Sequence, residues 1–333
     1  MGFDAATFVN GIIDDTASFM QARILLTAAE LDLFTELAQK PRQARKLAAD
    51  LELDERATRR VLDCLVLMGV LAKHNKNYRV TERGAPLSSR HAESILPMIL
   101  HMNTMWKNWT NLTDTLRKGK NTKLVPVIGT KDKNAMRAFI GAMHVIGKNL
   151  SGEIARQLDL STYTRLLDIG GGPGTYTLAL LEENPRLQAV LFDFPDVLAF
   201  ARERIGGSAL AGRVCFTQGD FYKDELPGGC DLALLSAIIH QNSPKENIEL
   251  FKKIHRALDA GGCLIIRDHI MDEARTNPPS GAFFAITMLV GTPAGDTYTF
   301  DEVKDMLEQA DFMYIDLLAT GNRMDCLIQA RKI

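Results

Sequence analysis

The sequence predicts an α/β protein: a mostly parallel, Rossmann-like seven-stranded sheet with helices on both faces, preceded by an all-helical domain of winged-helix type, its small wing apart. Three observations predict this. From Arg165 onward, short apolar runs alternate with helical stretches, the pattern of a doubly wound sheet. The first of those runs ends in a glycine-rich turn, Gly170-Gly171-Gly172-Pro173-Gly174. The first ~85 residues read instead as three helices and a hairpin.

In chain order, Arg23 to Leu37 carries Ile24, Ala28, Leu31 and Phe34 at helical spacing, and Arg45 to Leu51 is a second, shorter helix. Asp54 is placed to cap a third, with Ala57, Val61, Leu65 and Met68 as its inner stripe and Gly69 as its stop. Val70–Lys73, a polar turn over residues 74–77, and Tyr78–Thr81 make the wing. Residues 92–160 read as helical, and Pro97 to Leu116 sets Met98, Met102, Met105 and Trp109 on one face. Residues 118–133 form a basic loop. Strands follow at Arg165–Ile169, Ala189–Phe194, Val214–Gln218, Asp231–Ile238, Cys263–Asp268, Tyr314–Leu318 and Asp325–Ala330. Capping boxes at Ser243–Glu246 and Thr299–Glu302 start two of the intervening helices. The expected division is a winged-helix domain over 1–90, a helical lid over 91–160 and a ligand-binding domain over 161–333.

Composition narrows the function classes. A net charge of −2 gives no electrostatic case for nucleic acid or an anionic membrane. The apolar runs are too short for a bilayer span, and the N-terminus lacks the basic and apolar regions of a secretory signal. The five cysteines have neither metal-ligand spacing nor a disulfide framework. Reduced thiols in a cytoplasmic protein without a metal are therefore expected.

The glycine turn follows a buried strand, where open α/β sheets bind ligands. It does not fit a dinucleotide fingerprint, because Thr175 stands at the third glycine position and Pro173 intrudes. Asp168 precedes the turn by two residues; its charge would repel a pyrophosphate but attract the ammonium of a methionine moiety. Asp193, about 20 residues on, has the spacing of an acid that accepts ribose hydroxyls. Asp220 and Phe221 follow the third strand, where a carboxylate can accept from an adenine amino group and a ring can stack. Each acid singly is as often a cap or turn residue, but three in register with Gly170 and Gly172 point to S-adenosylmethionine (SAM).

With these residues in place, the chain resembles the SAM-dependent O-methyltransferases of caffeate, acetylserotonin and bacterial polyketide or carotenoid type. The resemblance spans nearly the whole length. It rests on Asp168 to Gly174, Phe192-Asp193-Phe194-Pro195, Gly219-Asp220-Phe221 and His240, in the family's order. It implies that His240 is the catalytic base and Asp268 the carboxylate that orients it. It also implies that Ser236 lies at the cofactor, that Met102, Trp109, Met143, Met288 and Asn242 line the acceptor pocket, and that the N-terminal domain pairs two subunits. The apolar residues Phe8, Val9, Ile12, Ile13, Phe19, Leu25, Leu26 and Leu33 suit such pairing.

The chain departs from the plant-type enzymes at Gln241-Asn242, where they carry Asp-Trp, at Thr297 with Asp296 beside it, where they carry Glu, and at Ser236, where Lys is common. These departures argue against a phenylpropanoid acceptor; a hydroxylated, flat, apolar small molecule is expected. Two other readings stay open: a SAM-binding hydroxylase, decarboxylase or cyclase of the same fold, and a winged-helix regulator, for which Arg56, Arg59 and Arg60 are offset by Asp54, Glu55 and Asp63.

Overall fold

A computed structural model describes residues 5–126 and 132–333, with side chains from residue 9 onward. The chain divides into two compact units. One comprises residues 5–104 with 132–145, the other residues 105–126 with 146–333.

The first unit is the winged helix. Its leading helices are Ala5–Ala17 and Phe19–Glu30. The single helix expected from Arg23 to Leu37 breaks at Asp32, which adopts a left-handed backbone (φ 51°), and resumes as Leu33–Gln39. Strand β1 (Arg42–Gln43) and the helix Ala44–Asp50 follow. Asp54 caps the helix Glu55–Leu67 by accepting the Ala57 N–H at 2.7 Å, worth about 1 kcal/mol to such a helix. That helix ends as expected, with Gly69 N–H on the Val66 carbonyl and Val70 N–H on that of Leu65, a Schellman closure. The wing is β2 (Leu71–His74) and β3 (Asn77–Val80), joined through Asn75 at φ 53°. It also holds a third strand, because β1 pairs antiparallel with β3. Phe34, Leu37, Leu47, Leu62, Leu65, Leu71 and Tyr78 fill the core of this unit.

The stretch expected to be one helix from Pro97 to Leu116 is two, Leu96–Trp109 and Leu112–Lys118. Helices Lys133–Gly147 and Leu150–Gln157 lead into the sheet. Of the basic loop, residues 127–131 lie outside the described residues; Asn108 holds both backbone groups of Val125, at 2.9 and 3.0 Å.

The second unit is built on a seven-stranded sheet. All seven expected strands are present: β4 (Arg165–Ile169), β5 (Gln188–Asp193), β6 (Val214–Gln218), β7 (Cys230–Ser236), β8 (Leu258–Asp268), then, after a minor parallel pair β9 (Ile270–Met271) and β10 (Tyr298–Thr299), β11 (Met313–Ala319) and β12 (Cys326–Arg331). The spatial order is β11-β12-β8-β7-β4-β5-β6. Only β12 runs antiparallel to its neighbours. The chain leaves β4 toward β5 and β6, then returns to β7 on the other side of β4, so a topological switch point lies between β4 and β7, where such sheets bind ligands. The central strands read as continuous apolar runs because both faces are covered. Leu166, Leu232, Leu234 and Ile265 pack against Leu180 and Leu181 on one face. Leu167, Ile169, Leu235 and Ile266 pack with Leu250, Phe251 and Ile254 on the other.

Candidate active site

The carboxyl ends of β4, β5 and β7 converge on the glycine turn. Gly170 and Gly174 lie in the left-handed region (φ 67° and 71°), where a side chain is strained. A Cβ on Gly170 would stand 2.8 Å from Ile238 Cδ1, and one on Gly174 would stand 2.5 Å from Ile205 Cδ1. The turn is therefore packed tightly from below, and its backbone is held by defined partners. Gly170 N–H donates to the Phe192 carbonyl at 2.8 Å, and Gly172 N–H donates to Asp193 Oδ2 at 2.8 Å.

The two acids expected at this turn are buried. Asp168 accepts from Thr177 Oγ1 at 2.5 Å, and burial, with the Asp193 charge nearby, pushes its carboxyl up to about 7. Asp193 also accepts the Phe194 N–H at 2.7 Å; burial raises it to about 6, against the pull of those two N–H donors. Two desolvated carboxyl groups beside a donor-lined turn favour a ligand that brings positive charge and hydroxyl donors. Asp220 is held by the Tyr222 N–H at 3.0 Å and by Lys223 at 2.8 Å. Phe221 is buried beneath Gly170, with its ring 4.5 Å from that of Tyr222, so it presents little open face for stacking.

At the switch point the expected pair is formed. His240 Nδ1 lies 2.8 and 2.9 Å from the two oxygens of Asp268, and His269 N–H donates to the same carboxylate at 2.8 Å. Asp268 is fully buried. Burial alone would raise its pKa, but the His240 imidazole, the His269 N–H and the Arg267 charge outweigh that and hold it below the usual carboxylate value. An ionised Asp268 fixes the proton of His240 on Nδ1 and leaves Nε2 as the basic nitrogen. The His240 ring stands edge-on to Phe284, centroids 4.8 Å apart, and Asp296 N–H donates to the His240 carbonyl at 2.9 Å.

The other expected residues divide. Met288 is buried on the helix Pro279–Gly291, and Trp109 is half-buried; both belong to this unit. Met102, exposed, and Met143, half-buried, belong to the other. Ser236 Oγ accepts from Arg267 Nη1 at 3.1 Å. Asn242 needs correcting as an acceptor contact. Its side chain is fully buried, its oxygen accepts from Tyr222 at 2.5 Å, and its nitrogen donates to Asn247 at 2.9 Å. With its carbonyl also accepting from Tyr298, it braces the loop after the base. Phe284, Tyr222 and Arg267 were not singled out from sequence. Phe284 was recoverable, since it stands one helical turn before Met288 on the same face.

Two family models match: an O-methyltransferase domain over residues 109–313 and an O-methyltransferase dimerisation domain over residues 14–90. The chain belongs to the O-methyltransferase family. Among relatives of this O-methyltransferase is the tetracenomycin polyketide synthesis 8-O-methyl transferase TcmO of Streptomyces glaucescens, 31% identical over 96% of this chain and 96% of the relative. The 3-hydroxy-5-methyl-1-naphthoate 3-O-methyltransferase of Streptomyces sahachiroi is 29% identical over 90% of this chain and 88% of its own. Among solved structures, human N-acetylserotonin methyltransferase in complex with SAM is 27% identical, with a TM-score of 0.82 over 100% of this chain and 99% of that one. Among the described residues no helix is long and apolar enough to cross a membrane, and no cluster of His, Cys, Asp and Glu could hold a metal ion.

Proposed function

We propose that this O-methyltransferase moves the methyl group of SAM to a hydroxyl of a small aromatic acceptor, with His240 as general base. The observation that carries the reading is the His240–Asp268 pair, set at the switch point one strand from the glycine turn. The buried acids fit the cofactor: Asp168 suits an ammonium, Asp193 a ribose diol, and Asp220 an adenine amino group. SAM, when bound, supplies a methyl group activated by its sulfonium.

The protein's own part is proton handling and alignment. Asp268 holds Nδ1–H, so Nε2 of His240 is free to accept the acceptor hydroxyl's proton as that oxygen becomes nucleophilic. The imidazolium so formed is stabilised by the buried carboxylate that already contacts it. Phe284 on the ring and Asp296 on the backbone carbonyl keep the imidazole in one orientation. Met288 and Trp109, both of the sheet-bearing unit, are the proposed apolar lining for a flat ring. Relatives that act on a polyketide and a hydroxynaphthoate support an aromatic acceptor.

We further place the protein in the cytoplasm, consistent with its five free cysteines, and as a homodimer through its N-terminal domain, where the dimerisation-domain match lies. Val9, Ile12, Ile13, Phe19 and Met20 are all more than half exposed, an apolar strip that a second copy would cover. Leu26 and Leu33, expected on that strip, are buried in their own subunit, Leu25 is half-buried, and the Phe8 side chain lies outside the described residues.

The test is a SAM-consumption screen over hydroxylated aromatics, with products read by mass spectrometry. A product carrying one added methyl group supports the reading. Hydroxylated, decarboxylated or cyclised products without a methyl would overturn it in favour of the non-methylating relatives.

A further inference from the structure

Arg267 is the least expected residue on the sheet. It is penultimate on β8, a cation only 3% exposed. Its Nη1 donates to Ser236, and its Nε has no partner at all. Among the described residues no carboxylate stands within ion-pairing distance of it. The two acids that influence it are engaged elsewhere: Asp268 by His240 and the His269 N–H, Asp325 by Arg323. The guanidinium lies over the Tyr176 ring at 4.7 Å, and the Tyr176 hydroxyl is itself buried without a partner. A buried guanidinium Nε and the buried hydroxyl of the ring it stacks on, each without an acceptor, are rare in folded proteins and call for an explanation.

The strand register supplies one. Leu234 pairs with Asp168 on one side and Ile265 on the other, and two residues further on Ser236 pairs with Arg267. Residues two apart share a face, so Asp168, Ser236 and Arg267 all point to the face covered by the helix Thr175–Glu183. The first turn of that helix touches both charges: Thr177 donates to Asp168, while Tyr176 carries Arg267. A buried acid and a buried base thus flank one helical turn, directly after the glycine turn, and do not pair with each other.

We infer that Arg267, with the Tyr176 hydroxyl, receives the carboxylate of the methionine end of SAM, while Asp168 takes its ammonium. The two charges are set apart to read an amino-acid zwitterion. A guanidinium offers a forked set of donors to a carboxylate, and the ligand would give both orphaned donors an acceptor. The inference rests on the SAM reading above and extends it. It also accounts for Ser236: a short hydroxyl on β7 leaves room for a cation arriving from β8.

The experiment compares binding of SAM with that of decarboxylated SAM, which keeps the adenosine, sulfonium and amino group. Wild-type protein is expected to prefer SAM by tenfold or more. Arg267→Met should weaken SAM by a similar factor and change decarboxylated SAM by less than threefold; Tyr176→Phe should do the same more mildly. Equal wild-type affinity for the two ligands would overturn the inference without any variant being needed, so a failure of Arg267→Met to fold does not shield it. Equal weakening of both ligands by a folded Arg267→Met would overturn it as well. Wild-type protein that binds neither ligand would defeat the SAM reading itself, and the inference with it.

Discussion

Lowering the pH should weaken cofactor binding through the two acids at the glycine turn. In the ligand-free protein, burial holds Asp193 near 6 and Asp168 near 7, against an unfolded value of 3.8. A bound ammonium and ribose diol would favour the charged forms, so binding must expel whatever protons these groups carry. For Asp193, moving from pH 7.5 to pH 5 leaves roughly one molecule in ten ionised, about a tenfold loss of affinity; Asp168 adds up to about a hundredfold more. The same shifts act oppositely on stability. Because both folded pKa values lie above the unfolded one, the ligand-free protein binds more protons than the unfolded chain between about pH 4 and pH 7. The contribution of these groups is therefore most favourable at the acidic end of that window and declines as pH rises through it, by about 3 kcal/mol for Asp193, whose pKa is raised by about two units. The assay is isothermal titration calorimetry with SAM from pH 5 to pH 8, in buffers of different ionisation enthalpy. Affinity should rise across the range, with protons released at its acidic end. A flat affinity with no proton release would refute the role given to Asp168 and Asp193.

Gly174→Ala would combine left-handed strain of about 1 to 2 kcal/mol with a Cβ 2.5 Å from Ile205 Cδ1, an overpacking cost of about 1 to 3 kcal/mol. A loss of about 2 to 5 kcal/mol in urea unfolding is expected, and a loss under 1 kcal/mol would show that the turn yields more easily than its packing implies. Light scattering should give twice the 36.9 kDa chain mass, and Ile12→Asp with Ile13→Asp should return a monomer; an unchanged dimer would move the interface elsewhere. Asn242→Ala removes a fully buried amide with partners at both ends and should cost about 1 to 3 kcal/mol with little change in acceptor KM. A large KM change in a protein of unaltered stability would return Asn242 to the acceptor pocket.

The sheet was legible because its central strands are buried apolar runs separated by clear helix starts, and the half-exposed edge strands β6 and β11 still showed as short apolar stretches beyond those helices. The winged helix was legible from its period, its Asp54 cap and its Gly69 stop. Less was visible where structure depends on partners distant in sequence. β1 is two residues long and exists only because β3 lies beside it. The break at Asp32 is a left-handed residue inside an unbroken helical pattern. At the candidate site, Asp168, Asp193 and Asp268 stand at or one residue before a strand end, and His240 lies in the short turn four residues past β7, so the strand pattern alone was enough to single them out. Arg267 and Tyr176 were not singled out, since nothing local distinguishes a buried cation without a counter-ion from a surface one. Asn242 stood in the motif that follows the base, yet its environment is set by Tyr222 and Asn247, which the spacing could not reveal.

The central claim is that His240 takes the acceptor's proton while the glycine turn holds SAM independently of it. The direct measurement is turnover by His240→Ala on an acceptor that the wild-type protein methylates, beside the SAM affinity of the same variant. Turnover should fall by roughly 10²- to 10⁴-fold, the usual worth of a positioned base, while SAM affinity changes by less than about twofold. Residual rate should survive, because alignment of two bound reactants carries a large share of the acceleration. Near-wild-type turnover by His240→Ala would contradict the account and remove this histidine from the chemistry.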